Sequence, residues 1–339
     1  MNREGGCWRC ISTLIRIMRG NFPFTRRKSY AIFYVVIKTM FDDLRNVKYV
    51  ESSFAGYLEE IMSYKIILDS CGELPEEFQN DTRFERVPLG LEVGDYCIMD
   101  DEKFDQKQFL EKVAACPTCP KSSCPSPQRY MEAYHCDADH VYVVTLSSKL
   151  SGSYNSAELG KRLYEETYGK KDIYIVDSRS ASGGETQIAL LAMELEEKGL
   201  DYQTICKKLT AYRNGMKTYF ILDNLETLRK NGRLSNVKAL IASTLNIKPV
   251  MGADKGSIIQ LHQCIGFKKA LHRLAETLCR EVCDPETKRV IITHCNALER
   301  AELLKKLLNG YFRFKEILIE NTAGVSSMYA NDGGVIVAV

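Results

Sequence analysis

The chain has 339 residues, enough for two compact domains, and its 45% hydrophobic and 27% charged content is that of a soluble globular protein. A net charge of +2 argues against a dedicated nucleic-acid binder, which carries a concentrated basic excess. The longest early apolar run, Tyr30 to Ile37, falls far short of the roughly 20 residues that span a bilayer, and no cleavable export signal is recognisable.

Residues 1–62 read as a helical extension, with Ser12 to Arg19 and Arg27 to Leu44 both helical in pattern. The basic triplet Arg26-Arg27-Lys28 precedes Tyr30, Phe33 and Tyr34, a flank suited to transient contact with an anionic membrane; simple terminal or docked helices are the plainer reading. From Tyr64 the pattern changes. Tyr64 to Leu68 is a short apolar strand ending at Asp69-Ser70-Cys71-Gly72. Val141 to Leu146 is a second strand, and Asp172 to Val176 a third, ending at Asp177-Ser178-Arg179-Ser180 ahead of an apolar helix from Gln187 to Lys198. Strands closing in Asp/Ser/Gly turns before helices predict a parallel α/β sheet over residues 63–215, with ligands expected at its carboxyl edge.

The remaining stretch predicts a smaller α/β domain over residues 216–339. It opens with a strand at Thr218 to Leu222, a short helix from Asn224 to Lys230 stopped by Gly232, and helical spacing from Leu234 to Leu245. Strands at Ile247 to Met251 and Ser257 to His262 follow, then a helix from Lys268 to Glu281, a strand at Arg289 to Thr293 and a helix from Leu298 to Leu308. Strands at Glu316 to Ile319 and Gly334 to Val339 complete the pattern.

The turn Ser147 to Ser153 joins a strand's carboxyl end to a helix's amino end. Unpaired N–H groups and the helix dipole favour an anion there, and small hydroxyls can complete its hydrogen bonds; ordinary helix capping is the competing explanation. Thirteen cysteines, an odd number without an export signal, imply reduced thiols in a cytoplasmic setting. Cys7/Cys10 and Cys116/Cys119 have metal-like spacing, and Cys124 with Cys136 or His135 could complete a zinc set around the second pair. That segment lacks the paired spacing of a zinc ribbon, so core or surface thiols are the simpler reading.

Several motifs in register give a family resemblance from about Tyr64 onward. Ile66 to Ser70 with Leu74-Pro75, Val87-Pro88-Leu89, Pro120 to Pro127, Leu146 to Ala157, Asp177 to Ser182, and Leu225 to Ser235 leading to Leu245-Asn246-Ile247-Lys248-Pro249 together resemble the DegV family. That fatty-acid-binding group, with the EDD fold, includes the B-type subunits of bacterial fatty acid kinase. The resemblance implies a tunnel between the two domains that buries one long-chain fatty acid. It also implies carboxylate contacts from Ser122 and Ser151, weaker ones from Ser123 and Ser148, and head-group reach from Arg233, with Arg229 as a substitute.

On the same resemblance the bound fatty acid is a ligand and no cofactor or metal is called for. The implied partners are a Dak-like kinase subunit that phosphorylates the carboxylate and an acyltransferase that takes the product; the chain itself supplies no nucleophile. Two departures qualify this. Tyr329 stands where the family has a histidine, and Ile265 and Phe267 stand where it tends to place arginines around Gly266. A phenol can donate to a carboxylate but does not become cationic near neutral pH. A diverged lipid or amphipathic small-molecule module without kinase coupling is therefore the alternative. A phosphotransfer enzyme using Asp69, Asp177 and the serine turns is a third reading. For that reading none of the five histidines lies in a nucleophile motif, and His294 at a strand end is the best lone candidate.

Overall fold

The apolar runs that predict a parallel sheet form one. In the computed structural model, which describes residues 63–234, 237 and 246–339, strands β1 (Tyr64–Asp69), β6 (His140–Thr145) and β7 (Asp172–Asp177) lie side by side, with β2 (Phe84–Val87) on the outer edge of β1. All three pairings are parallel. The centre of the sheet is covered on both faces, so Ile66, Ile67, Leu68 and Val141 to Val144 are fully buried. The N-terminal extension with its two expected helices and Cys7/Cys10, and the helix expected over Leu234 to Leu245 apart from Leu234 and Val237, lie outside the described residues.

Between β2 and β6 the chain forms elements with weak sequence signals. Strands β3 (Gly90–Val93), β4 (Tyr96–Met99) and β5 (Lys121–Ser123) make a three-stranded antiparallel sheet in the order β4-β3-β5. Helix α1 (Gln106–Ala115) starts where Asp105 accepts the Gln108 N–H, and α2 (Pro127–Tyr134) starts where Ser126 accepts the Arg129 N–H with proline in its first turn. Helix α3 (Ser153–Tyr168) follows β6, and α4 (Gly183–Glu197) and α5 (Tyr202–Gly215) follow β7.

The second sheet has six strands in the order β10-β9-β8-β13-β11-β12. They are β8 (Thr218–Ile221), β9 (Ile247–Asp254), β10 (Ser257–Ile265), β11 (Arg289–His294), β12 (Glu316–Asn321) and β13 (Val335–Ala338). Only β11 and β12 run parallel; the other pairings are antiparallel. Its helices are α6 (Glu226–Lys230), α7 (Phe267–Glu281), α8 (Leu298–Tyr311) and α9 (Gly324–Ala330). Gly232, at φ +76°, takes the left-handed conformation just past α6.

Met62–Glu194 and Tyr202–Val339 pack as one unit. The two-residue period of β8 sets what lies on each face of the second sheet. Tyr219 and Ile221 join Val250, Val290, Ile292 and Val335 in the core beneath α7 and α8, whereas Phe220 and Leu222 turn the other way with Met251, Ile258 and Ile336. That second apolar face forms part of a cavity wall.

Candidate functional site

The strand–turn–helix at Ser147 to Ser153 is fixed by hydrogen bonds from three directions. Asp177, at the end of β7, accepts the Ser148 N–H (3.0 Å), the Ser148 hydroxyl (2.6 Å) and the Arg179 N–H (3.1 Å). The Ser147 hydroxyl donates to the Gly256 carbonyl (2.8 Å) in the β9–β10 turn, tying the first sheet to the second. Gly256 sits at φ +88°, and a Cβ there would come within 2.5 Å of Ser147 Oγ. At the start of α3, Ser151 Oγ accepts the Ser153 N–H (3.2 Å). Accepting uses only a lone pair, so the Ser151 hydroxyl proton remains free to donate.

This turn borders a narrow cavity of about 90 Å³. From the first sheet and its turns come Cys71, Leu146, Leu150 and Ala181, and from the second come Phe220, Leu222, Ala253, Ile258 and Ile336. The exposed wall is mostly apolar, although Arg179, Ser180, Thr218 and Ser326 also line it, together with Ser122, Ser151, Arg233 and Tyr329.

Ser122 Oγ and Tyr329 Oη lie 3.1 Å apart, and the Arg233 guanidinium stands 5.6 Å from the centre of the Tyr329 ring. Arg233 spends Nε on the Leu150 carbonyl (3.1 Å) and Nη1 on the Asn231 carbonyl (2.6 Å), which fixes its plane. Burial pushes the Tyr329 phenol above its ordinary value, so it is a neutral donor across the physiological range. Of the two hydroxyls in the Ser122–Tyr329 pair, one donates to the other and one proton is left over. The cluster therefore offers hydroxyl donors and a pre-oriented guanidinium beside an apolar chamber, chemistry that suits the head of an amphipathic anion.

The other three residues singled out from sequence stand elsewhere. Ser148 is held by Asp177. Ser123 is exposed, with its hydroxyl packed against the backbone at Gly90. Arg229 is exposed and paired with Glu226 at 2.7 Å, one helical turn away. Asp69 and Asp177 are both occupied in holding backbone N–H groups. Asp69 accepts those of Cys71 (3.2 Å) and Leu146 (2.8 Å), both of which line the cavity.

Behind this wall Asp69, already singled out from sequence, is joined by two acids that sequence reasoning missed, Glu73 and Glu185. Glu185 and Asp69 are fully buried, and Glu73 is 4% exposed. Burial raises all three carboxyl groups, Glu73 to about 7, and Glu185 is pushed further by the neighbouring Asp69. Glu73 accepts the Ser182 hydroxyl (2.7 Å) and the Ala323 N–H (3.1 Å). Burial also pushes the Cys71 thiol well up, so it lines the cavity as a small neutral group. The one available signal was Glu185 itself, the only charged residue in the first two-thirds of α4.

Among the described residues no group of three or more His, Cys, Asp or Glu side chains could hold a metal ion. The thiols of Cys116, Cys119 and Cys136 instead neighbour Thr118 Oγ1 (3.1 Å), Asn231 Nδ2 (3.4 Å) and Lys171 Nζ (3.5 Å), respectively. No helix among the described residues is long and apolar enough to cross a membrane.

A family model described as "Uncharacterised protein, DegV family" matches residues 63–339. A DegV domain-containing protein of Streptococcus gordonii is 33% identical over 281 residues, which cover 81% of this chain and 98% of that protein. Among solved structures, a DegV-family protein of Ruminococcus gnavus with vaccenic acid is 49% identical, with a TM-score of 0.80 over 82% of this chain and 100% of its own. The fatty acid kinase (Fak) B3 protein of Streptococcus pneumoniae, loaded with linoleic acid, is 32% identical, with a TM-score of 0.75 over 82% of this chain and 99% of its own.

Proposed function

Because this chain belongs to the DegV family, we propose that it holds one long-chain fatty acid in the cavity between its two larger sheets and presents the carboxylate to a partner kinase. In this reading residues 63–215 and 216–339 are the two domains and the acyl chain lies between them. The head group meets the hydroxyls of Ser122, Ser151 and Tyr329 and the guanidinium of Arg233. Ser123, Ser148 and Arg229, the weaker expected contacts, are not among the residues lining the cavity, and this reading gives them no direct contact with the head group. The observation that carries this is the pairing of a mostly apolar wall with one hydroxyl-and-guanidinium cluster.

Physical chemistry supports the division of labour. Each buried methylene contributes about 0.8 kcal/mol, so the tail supplies affinity while the head supplies orientation. Hydroxyl donors suit a carboxylate that must later attack a phosphorus atom, because a tight bidentate ion pair would hold its electrons back. The kinase would bring the metal and the phosphate-handling groups, an acyltransferase would consume the acyl phosphate, and the chain would work in the cytoplasm as a carrier. Support for the kinase partner comes from the likeness to the Fak B3 protein.

A second reading, a lipid carrier without kinase coupling, is favoured by Tyr329. Its neutral phenol can bind a carboxylate but adds no positive charge for a phosphorylated head. Mass spectrometry of lipid released from the denatured, purified protein tests both. A stoichiometric fatty acid supports the carrier reading, and an empty protein refutes it. Acyl phosphate formed on adding a fatty acid kinase subunit and ATP supports the coupled form; bound lipid without product supports the uncoupled one.

A further inference from the structure

A second opening lies at the carboxyl ends of β8 and β11, on the far side of the turn that follows α9. It is an open, polar cleft of about 790 Å³, lined among others by Glu76, His294, Glu299, Glu320 and Asp332. Asp223, also on its wall, is already neutralised by Lys248 (2.8 Å) and Arg300 (2.5 Å), and Arg300 is further held by the Gly333 carbonyl and the Phe267 ring. The other four carboxylates, of Glu76, Glu299, Glu320 and Asp332, make no ion pair among the described residues. Burial and the nearby Glu76 and Glu77 push the Glu320 carboxyl upward, the response of a group that lacks a cation.

His294 sharpens the chemistry of this cleft. The residue is only 4% exposed, and its Nδ1 accepts the Ala297 N–H at 3.2 Å. A backbone N–H can only donate, so the ring proton sits on Nε2, which finds no partner among the described residues. Burial holds the ring's pKa below its ordinary value and keeps it neutral. The cleft thus asks for positive charge opposite its carboxylates and for a hydrogen-bond acceptor opposite His294. A bare amine supplies only the first. A metal ion would have to displace the Nε2 proton. A lysine- or arginine-bearing peptide supplies both, through its side chain and its backbone carbonyl.

We propose that this cleft docks a basic segment of a protein partner, with the cationic side chain among Glu299, Glu320 and Asp332 and a main-chain carbonyl on His294. The inference stands whether or not the cavity holds an acyl chain. The cleft and the hydroxyl cluster are neighbours, since Asn331 donates to the Tyr329 carbonyl (3.1 Å) and is followed directly by Asp332 and Gly333 on the cleft wall. A partner seated there would stand beside the mouth of the cavity.

The test uses the full chain and calorimetric titration with acetylated pentalysine. Binding is expected, weakening as salt rises from about 50 to about 300 mM. The double variant Glu299→Gln, Asp332→Asn should lose about fivefold or more in affinity while melting as the parent does. A control variant, Glu102→Gln with Glu166→Gln, removes two exposed acids elsewhere and should bind unchanged. Absence of binding, or equal loss in both variants, overturns the proposal. So does spermidine or magnesium binding at least as tightly as pentalysine with the same sensitivity to Glu299 and Asp332.

Discussion

Replacing Ser151 by alanine separates the two tasks assigned to its hydroxyl. The oxygen accepts the Ser153 N–H in a serine turn just before α3, a hydrogen bond whose loss costs about 1 kcal/mol of stability. For a unit of this size that lowers the melting temperature by about 2 °C. The hydroxyl proton is assigned to the ligand carboxylate, and a hydrogen bond to a charged group contributes about 1.5 to 3 kcal/mol, or about 10- to 150-fold in Kd. Displacement of a fluorescent fatty acid measures the second quantity and a thermal melt the first. Ser151→Thr keeps the hydroxyl and should recover most of the affinity. If Ser151→Ala melts about 2 °C lower yet binds fatty acid within twofold of the parent, the hydroxyl only shapes the turn and the head-group assignment fails.

Tyr329→Phe removes the phenol that faces Ser122 and should weaken binding of a free fatty acid by about 1 kcal/mol while leaving its methyl ester unaffected; equal loss for both would place the effect in packing instead. Ala253→Phe puts a ring into the cavity from β9, so the extracted lipid should shift to shorter chains or vanish from a protein that still folds; unchanged lipid would mean the chain lies elsewhere. Glu73 is raised by burial from 4.5 to about 7, so its contribution to stability is fully present below pH 4.5 and lost as pH rises through 7. Between those limits the parent's stability should fall by about 3 kcal/mol more than that of Glu73→Gln, and parallel pH profiles would contradict it. Gly256→Val forces a branched side chain into a left-handed backbone against Ser147 and should cost about 1 to 3 kcal/mol of stability, read by urea denaturation; parent-like stability would show that the contact between the sheets yields easily.

The parts of the fold that could be read from sequence are those whose periodicity is strong. The central strands β1, β6 and β7 are continuous apolar runs because helices cover both faces, and α7 repeats its apolar residues at helical spacing along one buried side. Strand β2 was not legible: Phe84-Glu85-Arg86-Val87 is an edge strand with a half-exposed polar centre. The three-residue β5, which carries Ser122, is set by pairing with β3 some thirty residues earlier, and no local pattern announces that. Strand order in the second sheet depends on similarly distant contacts. At the site, the hydroxyl turn and its Asp177 were visible in the sequence. The meeting of Ser122, Ser151, Arg233 and Tyr329 could be anticipated only through a family resemblance, because they come from four separate segments. Glu185 gave one isolated charge as its signal, and burial rather than sequence decides its state.

Strand β13 carries a consequence for how the protein is made. Residues 335–338 lie between β8 and β11, and Lys217 and Val339 exchange backbone hydrogen bonds of 2.8 and 2.9 Å at its end. Until this segment has been synthesised, β8 and β11 have no common neighbour and Ile336 is missing from the cavity wall. The first sheet, complete at residue 177, can assemble on the ribosome; the second must wait. On the proposed function, acyl-chain loading must therefore follow synthesis of residue 338, and deleting residues 335–338 should yield a chain that is half built and empty.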